Sequence, residues 1–335
     1  MPKGLVTLFG GSGFIGRYAA RTLVKAGYRV RVAVRRPHLA GDVRLAGGPG
    51  WVDIVQANVR HRQSVDAALE GADAVVNLVG ILYEKGRQSF EAAQRDGAIN
   101  VAEACAAAGI DKLVHMSAIG ADPEASADYA ETKGEAETAI REILPSAVIL
   151  RPSIVFGPED EFFNRFAALS AHPIANLLPI LPAIGGGQTK LQPVYAGDVA
   201  DAIANAIARD DTAGKTYELG GPSTYTIKEL YAFIGETIDR QRFALPVPFF
   251  LAKPLGLAFG TAYRYIWPLS SGILGAPPLT GTQVELLKSD NIVSEGALTL
   301  ADLGVTTPET IETVVPSYLY RFRPYGQYHQ KNERA

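Results

Sequence analysis

Three polar residues in the first half of the chain have the types and the spacing of a site that reduces carbonyl groups. Tyr129 and Lys133 stand four positions apart in a helix-like stretch, so they share one helix face. Ser117 lies twelve residues before Tyr129, just after a short apolar segment. A tyrosine donates a proton to a carbonyl oxygen more readily when a lysine ammonium lowers its pKa, and a serine hydroxyl hydrogen-bonds the same oxygen. We therefore predict that Ser117, Tyr129 and Lys133 are catalytic, although a Tyr and a Lys at this spacing also occur by chance on exposed helices.

A glycine-rich loop lies between a strand-like segment at residues 5–9 and a helix-like segment at 14–26. Gly10 permits a tight turn, Gly13 lets the backbone approach a pyrophosphate, and Gly16 permits close packing of helix against strand. The free N–H groups that open the helix offer partial positive charge to phosphates. Because a strand and a helix flank the loop as this motif requires, we predict a dinucleotide site. The predicted loop contacts are Gly10, Ser12, Gly13, Phe14, Ile15 and Gly16.

The end of the second predicted strand favours NADP(H) over NAD(H) as the dinucleotide. An acidic residue about 20 positions past the glycines would bind the ribose 2′-hydroxyl of NAD. Arg35 and Arg36 stand 19 and 20 residues after Gly16, and no acid occurs before Asp42. Guanidinium groups match the 2′-phosphate of NADP by charge and by donor geometry. NAD(H) is the alternative if these arginines are solvated strand-end charges, and Arg17 either adds to the same positive field or is exposed on the first helical turn.

Strand-like and helix-like segments alternate through the first half of the chain, which predicts a parallel sheet with helices on both faces. Right-handed crossovers then give an α/β fold with a Rossmann-type, doubly wound arrangement. Strands are predicted at 5–9, 29–34, 52–55, 74–79, 112–116 and 147–150, and helices at 14–26, 90–108 and 128–144. We predict an NAD(P)-binding domain at 1–150. The rest, 151–335, is predicted to be a smaller, mostly helical substrate or cap region that returns partly to the sheet.

The second half of the chain has a looser pattern, with helices predicted at 162–170 and 197–208 and a strand at 216–219. Residues 178–187 carry no charge and are rich in Pro and Gly. Such a stretch predicts either a lid over an apolar substrate or an ordinary surface loop that becomes ordered in a complex.

Two further stretches predict surfaces that contact something apolar. Residues 246–279 are strongly apolar, carry only Lys253 and Arg264 as charges, and contain six prolines that exclude one long helix. They form either a surface for a membrane or a hydrophobic partner, or a helical cap over the protein's own core. Residues 318–328 combine five aromatic side chains with two arginines. They predict either a docking tail or a tail folded back on its own domain.

The composition is that of a globular protein and excludes several classes. Hydrophobic residues make up 47% and charged residues 20% of the 335 residues, and the formal net charge is −3. This charge argues against nucleic-acid binding. The single cysteine, Cys105, allows no internal disulfide, no zinc spacing occurs, and we predict a buried helix residue. No apolar run reaches the about 20 residues of a transmembrane helix and no signal peptide precedes the first strand, so we expect a soluble or membrane-surface protein.

The glycine loop and the Ser–Tyr–Lys set resemble the short-chain dehydrogenase/reductase superfamily, in its extended and atypical branches. The resemblance implies further cofactor contacts after the third and fourth strands, by Asn58, Val59, Leu78, Val79 and Gly80. The first two of these correspond to an adenine-contacting pair. Asn100 stands where the superfamily often has a structural or active-site Asn, with a surface helix residue as the alternative. Lys133 is implied to hydrogen-bond the nicotinamide ribose.

Later motifs resemble a narrower family, the NADPH-binding accessory subunits of respiratory complex I and their bacterial homologues. The motifs are RPSIVFGPED at 151–160, FNRF at 163–166 and QPVYAGDV at 192–199, and the resemblance covers the chain to about residue 290. It implies a tightly held NADPH in a structural role and contact with complex I subunits near the quinone site and the membrane surface. It also places Pro152 and Ser153 near the nicotinamide end of the cofactor.

Three functions remain open at this point. The resemblance favours a cofactor-bearing accessory subunit, peripheral on the inner membrane of a bacterium or on the equivalent mitochondrial matrix side. The residue chemistry alone favours a free, cytoplasmic NADP(H)-dependent oxidoreductase or epimerase that acts on a small or lipid-like carbonyl or alcohol through Ser117, Tyr129 and Lys133. A regulator that senses NADP(H) without turnover is the third. Whether the chain is an enzyme is undecided, and we expect no metal and no nucleic-acid partner.

Overall fold

A parallel sheet of seven strands forms the centre of the fold. The computed structural model describes residues 2–84, 86–172, 179–266 and 280–328. Its strands are β1 Leu5–Phe9, β2 Arg29–Val34, β3 Val52–Gln56, β4 Ala74–Asn77, β5 Leu113–Met116, β6 Val148–Pro152, β7 Val155–Phe156, β8 Ile180–Ile184, β9 Lys190–Leu191, β10 Val194–Tyr195, β11 Thr216–Leu219, β12 Tyr225–Thr226 and β13 Phe243–Val247. Its α-helices are α1 Phe14–Lys25, α2 Arg62–Leu69, α3 Asp96–Ala108, α4 Asp128–Ile143, α5 Phe162–Ala171, α6 Ala196–Ala208, α7 Ile227–Thr237, α8 Phe249–Ile266, α9 Gly281–Leu286, α10 Ile311–Val314 and α11 Pro316–Leu319.

The strand order of the central sheet is β3-β2-β1-β4-β5-β6-β11, and all neighbouring strands are parallel. β1 pairs with β2 on one side and with β4 on the other, so the strand order reverses there. Loops leave this point in opposite directions and open a crevice at the carboxyl ends of the strands. The predicted doubly wound, Rossmann-type sheet is therefore confirmed, and β11 extends it beyond β6.

Alternating side chains along the strands bury two separate cores, one on each face of the sheet. Val6 and Leu8 face the layer formed by α1 and α6. Phe9 faces the opposite layer, formed by α2, α3 and α4. This alternation is the two-residue period of a strand. Cys105 of α3 is fully buried in the second core, as predicted, and burial raises the pKa of its thiol to about 12.

A third core lies in the second half of the chain and is distinct from the two cores of the sheet. It brings together Phe156 of β7, Phe163 of α5, Leu230 of α7 and Leu319 of α11. β11 and α6 come from the same half of the chain but join the central sheet and its helix layer. The division into parts at 1–150 and 151–335 stays a prediction.

Residues 180–184 of the uncharged stretch 178–187 form the strand β8 and residues 185–187 form a 3-10 turn, so the predicted lid or surface loop is wrong. β8 pairs in parallel with β13 along its whole length, and Leu181 and Ala183 are buried. The lack of charge therefore reflects burial. The partner strand lies about 60 residues further along the chain, where a local pattern carries no information about it. Leu178 lies outside the described residues.

The apolar stretch 246–279 contains an 18-residue helix, α8, which runs through Pro254. The prediction that the six prolines exclude one long helix over 246–279 is not contradicted, because residues 246–247 belong to β13 and α8 begins only after Pro248. Pro254 is close to the helix start, so its missing N–H removes one early hydrogen bond and the later turns continue. Residues 267–279 lie outside the described part of the chain. The helix α2 was also not predicted, because eight residues are too few to show a clear period.

Candidate functional site

The glycine-rich loop turns from the end of β1 into α1 at the point where the strand order reverses. Gly10 has a φ of +78°, a left-handed conformation that glycine adopts without strain. A Cβ on Gly10 would lie 3.2 Å from the carbonyl carbon of Leu78, and a Cβ on Gly16 would lie 2.5 Å from the Gly10 carbonyl oxygen. These two positions require glycine, and this allows α1 to begin in close contact with the loop.

The first backbone N–H groups of α1 remain available as hydrogen-bond donors. Gly13 is the N-cap residue, no side chain caps the helix, and its first turn contains no acidic residue. The first N–H groups of a helix have no acceptor within the helix and carry partial positive charge. A Cβ on Gly13 would meet only the Gly10 carbonyl oxygen, at 3.2 Å, so the remaining space beside Gly13 is open. The geometry fits a pyrophosphate at this helix start.

The other side chains at the loop and the start of α1 hold the loop in position through contacts with the rest of the protein. Arg17 donates to the Ser12 carbonyl oxygen at 2.8 Å, and its second terminal nitrogen lies 3.8 Å from Glu159 Oε1. The Phe14 ring packs edge to face on Tyr18, with centroids 5.8 Å apart. Ile15 is half-buried against the first core. Arg17 is thus engaged by the loop itself, which neither of the two predictions for it anticipated.

Positive charge gathers where β2 and β3 end. Arg35 lines a pocket of about 320 Å³, and the other lining residues are Gln56, Ala57, Asn58, His61 and Ser64. Partial burial, and then the guanidinium groups of Arg60 and Arg36, lower the pKa of Arg35. Within the described ranges, neither Arg35 nor Arg36 forms an ion pair with a carboxylate. Like charges gathered in this way favour the binding of an anion.

The segment after β3 is fixed by polar side chains. The Asn58 N–H donates to Ser64 Oγ at 2.8 Å, and Asn58 Oδ1 accepts from the Arg60 N–H at 3.2 Å. Val59 is buried, and its carbonyl oxygen accepts from Asn100 Nδ2 at 2.8 Å. Asn100 is therefore a half-buried brace that ties α3 to this segment, and the alternative of a surface residue is wrong.

The segment after β4 links the glycine loop to the predicted catalytic residues. The Leu78 N–H donates to the Phe9 carbonyl oxygen at 3.0 Å, beside Gly10. The Val79 N–H donates to Asn77 Oδ1 at 3.1 Å. A Cβ on Gly80 would lie 3.6 Å from Lys133 Nζ. The predicted cofactor segment thus runs along the crevice from the loop to Lys133.

Lys133 and Tyr129 lie on α4, yet their electrostatics differ from the prediction. Lys133 is only 3% exposed, and its Nζ donates to the Met116 carbonyl oxygen at 2.7 Å. Burial lowers the pKa of Lys133 to about 8, against the opposing effect of the Glu137 carboxylate. Burial raises the pKa of Tyr129 to about 12. The expectation that the ammonium brings the tyrosine pKa down toward neutrality is not met in this structure.

Two buried polar atoms at the end of β5 keep open hydrogen-bonding capacity. Ser117 Oγ has no hydrogen-bond partner among the described residues, nor does His115 Nε2. His115 Nδ1 lies 3.3 Å from Asn77 Nδ2, so Nδ1 accepts and Nε2 carries the proton. Burial, and then the Lys133 ammonium, lower the pKa of His115 to about 3. Because unsatisfied buried polar atoms are rare, this pair points to a group that binds here.

The structure adds residues that the sequence analysis missed. Gln94, almost fully buried, donates to Thr132 Oγ1 at 3.3 Å and accepts from the Ile81 N–H at 3.4 Å. It lies in a π-helical turn at Glu91–Arg95 that precedes α3. His115 could have been found from strand alternation, which puts it on the same face as Ser117. Gln94 had no such pattern, because its position depends on the irregular turn.

Pro152 and Ser153 lie at the end of β6 and tie distant segments together. The Pro152 carbonyl oxygen accepts from the Ile119 N–H at 3.0 Å. Ser153 Oγ lies 2.7 Å from Asn291 Oδ1 and accepts from the Gln192 N–H at 3.2 Å. The hydroxyl proton of Ser153 is therefore committed to Asn291, and a contact with the nicotinamide end stays a prediction.

An apolar surface is exposed on β13 and α8. Phe250 is 74% exposed. The other exposed large apolar side chains here are Phe243, Leu245, Leu251, Leu255 and Leu257. Ala252 is buried in a small core with Ile184 and Val284, so one face of α8 covers the protein's own interior while another faces outward. The cap over the protein's own core is therefore seen for one face of α8, and a surface for a membrane or a hydrophobic partner stays a prediction for the other.

The first half of the C-terminal stretch 318–328 folds back against the rest of the protein. Tyr318 is buried and its hydroxyl donates to Asp160 Oδ2 at 2.5 Å. Arg321 donates to Asn164 Oδ1 at 2.6 Å, and Arg323 Nε donates to the Thr237 carbonyl oxygen at 2.9 Å. Further along, Tyr325 and Tyr328 are exposed. Tyr320 is exposed as well, so both halves of the stretch present aromatic side chains to the surface.

Neither a membrane span nor a metal site is found in the described ranges. None of the helices there has both the length and the apolar character needed to cross a bilayer. No group of three or more His, Cys, Asp or Glu side chains among these residues is arranged to hold a metal ion.

Comparison with known proteins gives consistent matches. The family model described as "NAD dependent epimerase/dehydratase family" matches residues 6–220. The "NADH-ubiquinone oxidoreductase 40 kDa subunit, mitochondrial" of Neurospora crassa is 30% identical over 322 residues, which are 96% of this chain and 80% of that protein. A protein of Caulobacter vibrioides described as "Ceramide reductase" is 30% identical over 210 residues, 62% of this chain and 61% of that protein.

Among solved structures, a similar fold occurs in an NADPH-dependent quinone oxidoreductase, QOR2, from Escherichia coli, complexed with NADPH. The TM-score is 0.70 and the sequence identity is 19%, and the match covers 94% of this chain and 99% of that chain. At this identity the match establishes the shared fold alone.

Proposed function

The chain belongs to the NAD dependent epimerase/dehydratase family, and we propose that it is an NADP(H)-binding accessory subunit of respiratory complex I. The near-complete match to a 40 kDa subunit of NADH-ubiquinone oxidoreductase supports the assembly part of this proposal. The cofactor part is supported by one arrangement at the crevice, the combination of an uncapped helix N-terminus with arginines that have no carboxylate partner.

The uncapped start of α1 suits the pyrophosphate, because its N–H groups and partial positive charge face the open space beside Gly13. Arg35 and Arg36 suit the 2′-phosphate of NADP(H), since no carboxylate of the described chain neutralises them. An acid at the end of β2 would instead favour NAD(H), and none is present there. The dinucleotide would therefore lie across the crevice between β1 and β4.

The remaining contacts follow from the positions of the side chains. Asn58 lines the same pocket as Arg35, which supports an adenine contact there, and the contact by Val59 is proposed from the family resemblance. At the other end, Lys133 Nζ uses one of its three protons on the Met116 carbonyl oxygen. Two protons remain for the hydroxyl groups of the nicotinamide ribose. A lysine used in this way retains the cofactor whether or not the site turns over.

Nucleotide binding tests the cofactor part of the proposal. The double variant Arg35→Ala, Arg36→Ala should raise the Kd for NADPH by about a hundredfold and leave the Kd for NADH within about twofold, because each lost charged contact contributes about 1.5 kcal/mol or more. Arg29→Ala is the matched control, because Arg29 is an exposed arginine at the opposite end of the same strand. Equal losses for NADPH and NADH would contradict the assignment of these arginines to the 2′-phosphate.

Association with complex I needs its own experiment. The tagged full-length protein would be recovered from detergent-solubilised membranes, with mass spectrometry of the co-purified subunits and of the released nucleotide. We expect subunits of the complex and stoichiometric NADPH. Recovery of the protein free of these subunits, with an exchangeable nucleotide, would contradict the accessory-subunit proposal and favour the second candidate.

A second candidate function is reduction of a lipid-like carbonyl compound by NADPH. The observation that favours it is Ser117 Oγ, which is buried near α4 and has no partner among the described residues. A substrate carbonyl oxygen would satisfy this hydroxyl. The relative described as a ceramide reductase supports a long-chain substrate.

In this candidate reaction bound NADPH supplies a hydride to the carbonyl carbon. Tyr129 donates its phenol proton to the carbonyl oxygen, which gives the alcohol, while Ser117 hydrogen-bonds that oxygen. Burial raises the pKa of Tyr129 to about 12, so the phenol is protonated at neutral pH. A protonated phenol suits reduction and disfavours alcohol oxidation, which needs a base.

Tyr129→Phe distinguishes this reaction from cofactor retention. The variant should abolish NADPH oxidation in the presence of a long-chain ketone while its Kd for NADPH changes less than about twofold. Phe90 packs edge to face on the Tyr129 ring, and phenylalanine keeps that contact. Unchanged NADPH oxidation in the variant would exclude Tyr129 as the proton donor.

A further inference from the structure

A third arginine, Arg60, lies at the same corner of the sheet as Arg35 and Arg36. β2 and β3 are parallel neighbours that end with Val34 beside Gln56, and the Ala57 N–H donates to the Val34 carbonyl oxygen at 2.9 Å. The segments that follow the two strands therefore leave the sheet side by side. Arg35 and Asn58 consequently line the same pocket, and Arg60 is two residues beyond Asn58.

The guanidinium group of Arg60 is held on two sides. Its Nε donates to Asn58 Oδ1 at 3.5 Å, and one terminal nitrogen donates to the Arg87 carbonyl oxygen at 2.7 Å. Both acceptors are uncharged, and no carboxylate of the described residues pairs with Arg60. A guanidinium has five N–H donors, so further donors remain after these contacts.

Three guanidinium groups that have no carboxylate partner repel one another. A bound anion would lower this unfavourable electrostatic energy. Partial burial, together with the positive charges of Arg60 and Arg36, lowers the pKa of Arg35, which records this mutual repulsion. The N-terminus of α2 also begins at this corner, and no side chain caps it. Its partial positive charge adds to the field of the arginines. The corner therefore favours a group with more than one negative charge, such as a phosphomonoester dianion.

We propose that Arg60 is a third residue that recognises the 2′-phosphate of NADP(H), with Asn58 and the Arg87 carbonyl holding its guanidinium in position for that contact. This inference rests on the proposed NADP(H) site. Arg60 is then a specificity-determining residue, because NAD(H) has a hydroxyl where NADP(H) has the phosphate. The end of β2 supplies two arginines and the segment after β3 supplies the third.

Arg60→Ala tests the proposal, with calorimetry of the full-length protein against NADPH, NADH, adenosine 2′-monophosphate and adenosine 5′-monophosphate. We expect the Kd for NADPH and for adenosine 2′-monophosphate to rise about tenfold. The Kd values for NADH and adenosine 5′-monophosphate should stay within about twofold. Equal losses for all four probes, or no loss for any, would overturn the proposal.

Arg62→Ala is the matched control for net charge. Arg62 lies two residues further on and is paired with Asp66 and Glu103 on the surface of α2. This variant removes the same charge close to the same corner but should leave all four Kd values within about twofold. A loss of NADPH affinity in Arg62→Ala equal to that in Arg60→Ala would show that only the general field matters and would overturn the specific role of Arg60.

Arg60→Lys keeps the experiment informative if the alanine variant does not fold. Lysine retains the charge but has no planar group for the two acceptors that hold Arg60. We expect a Kd for NADPH between those of the wild type and Arg60→Ala, with NADH unchanged. A Kd equal to that of the wild type would overturn the need for a held guanidinium.

The two proposals fail in different ways. A wild-type protein that binds neither NADPH nor NADH contradicts the proposed function itself. A wild-type protein that prefers NADPH, and loses this preference in Arg35→Ala, Arg36→Ala but keeps it fully in Arg60→Ala, contradicts only the role of Arg60.

Discussion

The Lys133 ammonium donates to the main-chain carbonyl oxygen of Met116 at 2.7 Å, and this contact ties α4 to the end of β5. The lysine is 3% exposed, so the fold keeps a charged group almost without water. Burial of a charge without a close carboxylate partner is unfavourable and lowers the pKa of an amine. The buried ammonium of Lys133, in the middle of the candidate site, therefore makes the free energy of unfolding depend on pH.

Stability without nucleotide should rise between pH 8 and pH 10 because of Lys133. Burial lowers the pKa of this lysine from its ordinary value of 10.5 to about 8 in the folded chain. In this range the unfolded chain binds more protons than the folded chain, so a higher pH favours folding, by about 3 kcal/mol at most. Urea unfolding of the wild type and of Lys133→Met at several pH values measures the difference. A difference in stability between the wild type and Lys133→Met that stays the same at every pH would contradict the prediction.

Two glycines of the loop should respond oppositely to alanine. Gly16→Ala brings a Cβ within 2.5 Å of the Gly10 carbonyl oxygen, so we expect a loss of about 2–3 kcal/mol in the free energy of unfolding. Gly13 has φ −75° and ψ 179°, which alanine also adopts. The free energy of unfolding of Gly13→Ala should therefore lie within about 1 kcal/mol of the wild-type value. Its affinity for NADPH should fall at least about tenfold, because the added methyl group occupies the space through which the backbone approaches the pyrophosphate. Retained affinity in a folded Gly13→Ala protein would contradict the pyrophosphate position.

The packing of the C-terminal stretch against the rest of the protein should depend on the hydroxyl group of Tyr318. Tyr318→Phe removes the donor to Asp160, a buried carboxyl group that also accepts from the Phe163 N–H at 2.6 Å. We expect a loss of about 2 kcal/mol in the free energy of unfolding, because a buried acceptor loses its strongest partner. Tyr328→Phe, at a position 81% exposed, should change nothing measurable in the same urea titration. Equal stabilities of the two variants would show that the tail is not held by this bond.

The exposed face of α8 should bind membranes. Phe250→Asp removes an exposed apolar side chain and adds a charge, so we expect co-sedimentation with vesicles that contain anionic phospholipid to fall about tenfold. Leu45→Asp is the control, because Leu45 is 84% exposed in a different region of the fold. Equal losses in the two variants would mean that general charge, and not this face, determines vesicle binding.

The sheet and the glycine loop were accessible from the sequence because local patterns determine them. The strands predicted at 5–9, 29–34 and 216–219 have the bounds of β1, β2 and β11. A buried parallel strand is a continuous apolar run, and a glycine with positive φ has few substitutes. These features are visible within a few neighbouring residues.

Features that depend on distant contacts were not accessible in the same way. β8 was expected to be a loop, because its pairing with β13 leaves no trace in its own sequence. Spacing put Tyr129 and Lys133 on one helix face but could not show that the ammonium donates to Met116. The role of Ser153 in holding Asn291 depends on a residue 138 positions away. Spacing identifies the residues of a site, whereas the hydrogen bonds that engage them depend on the tertiary fold.

Cys105 gives the chain a practical property for following its docking. It carries the only thiol in the sequence, and its side chain is buried on the inner face of α3. Its raised pKa keeps the thiol protonated at neutral pH. Maleimide dyes and nitroxide labels would therefore spare it and react with a single cysteine introduced by Tyr328→Cys or Phe250→Cys. Fluorescence or spin-label spectra of such proteins can report contact with vesicles or with other subunits, and no prior removal of a native thiol is needed.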